Sequence, residues 1–392
     1  MSFGRKIADK IYTVGVIDWN RRLFDELVEI PDGTTYNSYF IDGSELKVLI
    51  DTVDTSKSDL LLKNLESLRV DRIDYIVANH AEQDHSSSIP VLLDKFPEAM
   101  VVTNAKCKDL LKEFLLIPDE KFRLISDGDR ISLGDKTLVF QMTPWVHWPD
   151  TQCVYMPEDK ILFSCDFFGS HIATSDLFCI DETISIPAAK HYYAEIMMPF
   201  RKIIRTNIEK LSQLDIQMIA PSHGPLHKEP QKIINTYKEW ISDSVKNLVL
   251  IPYVSMHEST KIMAEYLTYT LIDMGVEVEL MDLTSTDTGK IATSLVDAAT
   301  VLIGSPTVLG GAHPLAAYVA FLANALRPKT RFVGIFGSYG WGGRMIEQLK
   351  GLLPNISGEL LEPVIIKGIP KEKDFEQLKN LAIQICEKHK TI

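Results

Sequence analysis

The run Tyr75-Ile76-Val77-Ala78-Asn79-His80-Ala81-Glu82-Gln83-Asp84-His85 joins a short apolar stretch to four side chains that bind metals well. Three more candidates each follow a strand-like segment. They are His147 in Trp145-Val146-His147-Trp148-Pro149, Asp166 in Ser164-Cys165-Asp166-Phe167, and His223 in Pro221-Ser222-His223-Gly224-Pro225. The spacing of His80, Glu82, Asp84 and His85 cannot put all four on one helix face, whereas a loop after a strand end lets them converge. Four imidazoles and three carboxylates suffice for two divalent metals. His80, Glu82 and His147 are assigned to the first, Asp84, His85 and His223 to the second, and Asp166 to both. Carboxylate oxygens mixed with imidazole favour iron or manganese over an all-sulfur site. Each metal keeps an open position, as catalytic sites do. Pro144, Pro149, Pro221 and Pro225 stiffen the turns that carry His147 and His223. His171, five residues past Asp166, is a candidate pocket-lining group; His191, His227, His257, His313 and His389 are given no metal role.

A chain of 392 residues is long enough for two or three domains with full cores. Its net charge of −12 is uneven: 28 basic residues face 38 acidic ones before Asn247, and 13 face 15 from there on. No Lys/Arg cluster supplies a phosphate-tracking stripe, so nucleic-acid binding is not expected. Nor does any apolar run approach membrane-spanning length. The first ten residues lack the apolar segment of a secretory signal. Cys107, Cys153, Cys165, Cys179 and Cys386 are scattered and form no CxxC pair, which fits reduced thiols in a cytoplasmic protein.

Two rhythms divide the chain, with a boundary expected between residues 246 and 247. Up to residue 246, short strand patterns (11–16, 36–41, 47–50, 74–78, 100–103, 136–141, 153–156 and 161–164) alternate with helical periods such as 57–68 and 192–211. Two mixed sheets packed face to face with helices outside account for this pattern. From residue 247 to 392, strand candidates at 248–254, 276–280, 300–304, 332–336 and 360–365 are each followed by a helical pattern. Five such units in a row predict a doubly wound five-stranded parallel sheet.

The pattern HxExDH followed by a distant His, Asp and His resembles the binuclear site of the metallo-β-lactamase fold, an αββα sandwich. Hydrolases of that fold carry a histidine where this chain has Glu82. That departure, with the flavodoxin-like second half, resembles the flavodiiron proteins, also called A-type flavoproteins. The phrases Thr34-Thr35-Tyr36-Asn37-Ser38-Tyr39 and Trp145-Val146-His147-Trp148-Pro149-Asp150 match that family too. The resemblance spans essentially the whole chain and implies two irons held by His80, Glu82, Asp84, His85, His147, Asp166 and His223.

Three loops after strand ends of the second half form the other constellation. Ser255, Met256, His257, Ser259 and Thr260 sit in a hydroxyl-rich strand-to-helix turn of the kind that cradles phosphate. Ser305, Pro306, Thr307, Val308 and Gly310 follow the third strand; Ser338, Tyr339, Gly340 and Trp341 follow the fourth. Ligands of open α/β sheets bind in this crevice, and Tyr339 and Trp341 can stack on a flat ring. The flavodoxin-like resemblance implies FMN there. Glu258 departs from the usual small or neutral residue, and an acid beside a phosphate must point away.

Two ferrous ions and a reduced flavin hold four electrons, which matches reduction of O₂ to two waters; coupling two NO to N₂O needs two. The resemblance implies one or both activities. The competing reading is a binuclear zinc hydrolase with an accessory flavodoxin-like module. A domain of some 245 residues has a radius of gyration near ~18 Å, so metal and flavin in one chain could lie roughly 40 Å apart. A head-to-tail homodimer, or a tetramer built from it, would close that gap. No rubredoxin or flavin reductase module is visible, so the donor is expected to be external: a rubredoxin-type carrier, or reduced F420.

Overall fold

The computed structural model describes residues 4–392. The chain divides into two compact units: one runs to Tyr192 and takes in Phe200–Lys238, the other joins Tyr193–Pro199 to Glu239–Ile392.

The first unit is built on two sheets. One contains, in spatial order, Arg5–Ala8, Ile11–Thr13, Tyr39–Asp42, Lys47–Ile50, Tyr75–Val77, Met100–Thr103 and Phe122–Leu124. Its first four strands pair antiparallel and its last four parallel. In the other sheet, Arg130–Ser132, Thr137–Met142, Gln152–Met156 and Ile161–Cys165 form a meander. Met218–Pro221 adds to it in parallel. Successive side chains of a strand point to opposite faces, and both faces of the first sheet are covered. Tyr39, Ile41, Val48, Ile50, Val77 and Val102 meet Phe140, Val154, Met156, Ile161 and Phe163 of the second sheet. The alternate residues Phe40, Leu49, Ile76 and Val101 turn the other way. There they meet Leu61 and Leu65 of helix Ser58–Ser67, Leu92 of Ile89–Lys95, and Cys107 and Leu111 of Ala105–Leu115. A strand buried on both faces reads as a continuous apolar run. Helices Arg201–Leu211 and Pro230–Trp240 complete the sandwich.

Expectations for the first unit change in detail: the strands predicted over 11–16 and 36–41 each divide, with Val16–Asp18 and Thr34–Tyr36 pairing in a small sheet of their own. The helix predicted over 192–211 is interrupted: Glu182–Tyr192 gives way to a wider turn over Tyr193–Met197 and a tight one over Met198–Phe200 before Arg201–Leu211 resumes. Pro199 has no N–H to continue the ladder. The stretch after His80 is not all loop either, since Gln83–Ser86 closes one helical turn.

In the second unit the parallel strands run in the order Glu277–Asp282, Lys246–Tyr253, Ala298–Val308, Phe332–Tyr339, with a fifth position beside Phe332–Tyr339. That position is shared by Glu359–Leu360 and Val364–Lys367, where one strand over 360–365 was expected. Pro363 lies in the gap and cannot donate to a ladder. The order is that of a doubly wound flavodoxin-like sheet, with its crevice at the carboxyl ends of the strands.

Candidate metal centre

Four strand ends deliver the site. His80 follows Tyr75–Val77, Asp166 follows Ile161–Cys165, His223 follows Met218–Pro221, and His147 lies on the turn leaving Thr137–Met142. The helical turn Gln83–Ser86 swings Asp84 and His85 in behind Glu82. The structure brings all seven candidates together in two sets. In one, ligand-type atoms of His80, Glu82, His147 and Asp166 lie within 4.8 Å of one another; in the other, those of Asp84, His85 and His223 do. Glu82 Oε2 stands 3.1 Å from His80 Nε2 and 3.0 Å from His147 Nε2. Asp84 reaches His223 Nε2 at 3.0 Å and His85 Nε2 at 3.3 Å. Asp166 lies between the sets: Oδ2 is 3.8 Å from both His80 Nε2 and His147 Nε2, and Oδ1 is 2.9 Å from His85 Nε2 and 3.5 Å from His223 Nε2.

These distances suit a common cation. Ligand atoms about 2.1 Å from an ion are separated by about 3.0 to 3.4 Å at octahedral or tetrahedral angles. Despite the close nitrogens, the carboxylate oxygens of Asp84 and Asp166 accept no well-directed hydrogen bond among the described residues. Each carboxylate is nearly closed off from water, and such a group demands cationic or hydrogen-bonded partners. The orphaned oxygens are what a metal would satisfy.

The outer contacts fix how the rings face. His80 Nδ1–H donates to Asp150 Oδ2 at 3.1 Å, and the same oxygen accepts Ala81 N–H at 2.8 Å. His223 Nδ1–H donates to Thr35 O at 2.7 Å. Both bonds commit Nδ1 as donor and leave the Nε2 lone pair toward the centre. Asp51 accepts from Asn79 N (2.8 Å) and Nδ2 (2.9 Å), bracing the start of the run. Without metal, burial opposes charge on His80, but Asp150 and Glu82 outweigh it and hold the ring protonated well above its ordinary range. His85 is likewise pushed up to about 10, burial being overcome by Asp166 and Asp84. Burial would raise Asp166, yet His85, His80 and His147 hold it well below the carboxylate range.

His171 lies beside the site. Its ring is 4.7 Å from that of His223 and 4.9 Å from that of Tyr192, and its Nδ1 meets Thr34 Oγ1 at 2.9 Å. Burial and the neighbouring His223 keep it neutral. The other histidines are placed elsewhere. His227 Nε2–H donates to Phe168 O, His313 caps helix Pro314–Leu326, His389 bonds Thr300 and Asn247, His191 meets Glu29 O, and His257 is exposed. Sequence reading missed Asp150, Asp51, Tyr192 and Asp25. Tyr192, fully buried, brings its hydroxyl beside Asp166. The carboxyl of Asp25 is pushed up to about 6 by partial burial and by the negative charge of Glu82. Only Asp150 carried a signal, three residues past His147 and just after Pro149.

In the second unit the three predicted loops meet. Thr260 Oγ1 lies 3.2 Å from Ser338 Oγ, and a side chain on Gly343 would strike Thr307. Helix Ser259–Asp273 starts from Glu258, whose left-handed backbone (φ 62°) sends its carboxylate to Lys261 at 3.2 Å. Ser305 is occupied within the protein: its hydroxyl donates to Pro306 O and accepts His313 N–H. The hydroxyl oxygens of Ser255 and Thr307 are buried without a partner among the described residues. Met256 and Trp341 are exposed, and a side chain at Gly310 or Gly340 would meet nothing within 4 Å.

Residues 34–224 match the family model described as ODP family beta lactamase. The chain is 34% identical to a nitric oxide reductase of Moorella thermoacetica, covering 97% of both chains. It is also 34% identical to an oxidase of reduced coenzyme F420 from Methanothermobacter marburgensis, covering 97% of this chain and 98% of the other. Among solved structures, the rubredoxin oxygen:oxidoreductase of Desulfovibrio gigas superposes over 99% of both chains with a TM-score of 0.96 at 32% identity. The flavodiiron protein of Giardia intestinalis does so over 99% of both with a TM-score of 0.90 at 30% identity. The chain belongs to the flavodiiron protein family. Within a flavodiiron protein, the Asp150–His80 bond orients a prospective ligand. Asp150→Asn is expected to weaken metal retention about 10- to 100-fold against a chelator. In the same titration, metal must displace protons from His80 and His85, so affinity rises with pH from 7 toward 10. Equal retention by both proteins, with no pH dependence, would contradict this account.

Proposed function

We propose that the protein reduces O₂ to water, NO to N₂O, or both, at a non-haem diiron pair, with electrons relayed through FMN from an external donor. One observation carries the reading: Asp166 offers one oxygen to each of two His/carboxylate sets, in a chain that also has a flavodoxin-type crevice. The donor set fits iron, since each position combines imidazole with hard carboxylate oxygen. His80, Glu82 and His147 would hold one ion, Asp84, His85 and His223 the other, and Asp166 both. The crevice fits FMN: the orphaned hydroxyls of Ser255 and Thr307 suit a polar ligand, and exposed Trp341 suits a flat ring. The wider contact set is Ser255, Met256, His257, Ser259 and Thr260, then Ser305 to Val308 with Gly310, then Ser338 to Trp341.

When bound, two ferrous ions and reduced flavin supply the four electrons that O₂ + 4 e⁻ + 4 H⁺ → 2 H₂O consumes; 2 NO + 2 e⁻ + 2 H⁺ → N₂O + H₂O takes two. The chain's own contribution is to orient, shield and hydrogen-bond. Asp150 and Thr35 O aim His80 and His223 inward. Phe24, Tyr192 and His171 pack around His223 and exclude water from that side. A zinc hydrolase is not favoured, because the named relatives are oxidoreductases.

Purified protein prepared anaerobically with iron is expected to carry iron and flavin. After reduction, pulses of O₂ or NO should reoxidise it rapidly, NO yielding N₂O. Slow reoxidation by both gases overturns the proposal, and two zinc ions per chain with hydrolase activity would favour the other reading. Trp341→Ala is expected to loosen FMN by about 1 kcal/mol through lost stacking, measured by flavin fluorescence; unaltered affinity removes Trp341 from the site.

The donor completes the proposal. A rubredoxin-type carrier is favoured because the chain resembles a rubredoxin oxygen:oxidoreductase so closely; reduced F420 is the alternative that the second relative suggests. We further propose a head-to-tail homodimer, because two sites in separate compact units of one chain can be too far apart for fast electron transfer. No helix of the described residues is long and apolar enough to cross a membrane. Sedimentation velocity should find turnover confined to the dimer or a larger assembly; full activity in a monomer refutes that part.

A further inference from the structure

The second metal position is shut off from solvent: the side chains of Asp84, His85, Asp166 and His223 each expose between 1% and 6% of their surface. The chain that leaves Asp166 also lines a cavity. It holds about 110 Å³ beside helices Arg201–Leu211 and Pro230–Trp240, with Phe168, Ile208, Leu211, Ile216 and Ile234 in its apolar lining. All five of those residues are buried. The polar residues that line it, Ser212, Gln231 and Lys238, are exposed, so no buried polar side chain waits inside for a partner. Phe168 has a left-handed backbone (φ 66°), which a bulky side chain takes only under constraint. Its carbonyl accepts His227 Nε2–H at 3.1 Å, its ring stacks on Phe167 with centroids 4.0 Å apart, and Tyr237 meets it edge-on at 5.0 Å. The next residue, Gly169, packs on the metal site. Its N–H donates to Asp166 O at 3.0 Å, and a side-chain carbon added to it would stand 3.6 Å from His223 Cβ. Ser170 N–H then donates to His223 O at 3.2 Å. A single pass of the chain therefore links the cavity lining to His223, and glycine occupies its thinnest point.

We propose that this cavity binds small, neutral, apolar gas molecules and passes them to the second metal position across the wall formed by Phe168 and Gly169. The delivery rests on the function proposed above; the binding does not. Apolar cavities of comparable size stay dry and accept guests such as xenon. One water takes up about 30 Å³ in the liquid, so a diatomic molecule fits. O₂ and NO are weakly hydrated, and moving them from water to an apolar lining is favourable. Water and anions are disfavoured there, because the buried lining offers them no hydrogen-bonding side chain. Passage requires only a transient displacement of Phe168 against Phe167 and Tyr237, since Gly169 adds no side chain behind it.

The test starts with crystals of the full-length protein held under xenon gas. Anomalous density for xenon is expected between Phe168 and Ile234, and Ile234→Phe, which fills the space, should abolish it. In protein loaded with iron and flavin, Ile234→Phe is expected to raise the apparent KM for O₂ several-fold. Its kcat and the reduction of its flavin by dithionite should stay unchanged, because a filled route slows arrival and not chemistry. A purely structural disturbance would lower kcat instead. Leu211→Phe takes the place of this variant if it loses iron. Asn235→Ala, exposed on the same helix, should alter neither xenon binding nor KM. Absence of xenon overturns the proposal, including the case in which a second copy of the chain covers the cavity. So does an unshifted KM in a filled variant. Wild-type protein that binds xenon but carries no iron or flavin would instead sink the functional reading, so the two failures are distinct.

Discussion

A carboxylate buried at the end of a strand, Asp166, sets the terms for the first unit. Removing an isolated carboxylate from water costs several kcal/mol even after the protein relaxes. Here that group is almost wholly enclosed, at the tip of Ile161–Cys165. The fold answers by bringing four imidazoles around it, two on each oxygen. Those imidazoles come from positions 80, 85, 147 and 223, so the constraint ties the tips of both sheets to one point. In the metal-free protein the balance is kept by protons on His80 and His85. A divalent pair would satisfy the same oxygens and displace those protons. Burial that would be a liability in a purely structural role thus becomes a preference for cations.

Precision at this point depends on rigid surroundings. His80 and His223 sit on strand exits whose preceding residues are locked between two apolar layers, and each ring is pinned through Nδ1 by a bond to a different partner. Asp150 does double duty by also holding Ala81 N–H. A ring held at both its backbone and its Nδ1–H has little freedom to collapse onto a neighbouring carboxylate. The second unit follows another logic. Its crevice is lined by main chain, small hydroxyls and exposed aromatic surface, with orphaned polar atoms few and neutral. One unit is therefore prepared for small hard cations and the other for a flat, largely uncharged ring carrying an anionic tail.

How much of this was legible in sequence depends on the range of each interaction. The run from His80 to His85 places four candidates within six residues, so local adjacency alone betrays it. The central parallel strands of the second unit, Lys246–Tyr253, Ala298–Val308 and Phe332–Tyr339, read as largely apolar runs because both their faces are buried. Ser58–Ser67 shows a helical period because one face meets the core. Asp150 carried only the faint signal of its place just after Pro149, because it matters through bonds to His80 and Ala81, dozens of positions away in the chain. The hairpin carrying Asp25 has strands of two residues, too short for any period, and its left-handed pair is imposed by tertiary packing. Breaks at Pro199 and Pro363 were visible as prolines, but a proline tells where a ladder can fail and not how the chain resumes.

Charge bookkeeping links the two ends of the argument. Three carboxylates and four neutral imidazoles around two divalent ions leave a single positive charge, and each oxidation to the trivalent state adds another. The centre therefore attracts anions most strongly when it is oxidised, which is when substrate has just been consumed and a bound anion would block the next cycle. Neutral diatomic substrates gain nothing from that charge. The enclosure that makes the carboxylates demand cations also keeps that charge poorly screened by water, because Asp84, His85, Asp166 and His223 are almost wholly buried.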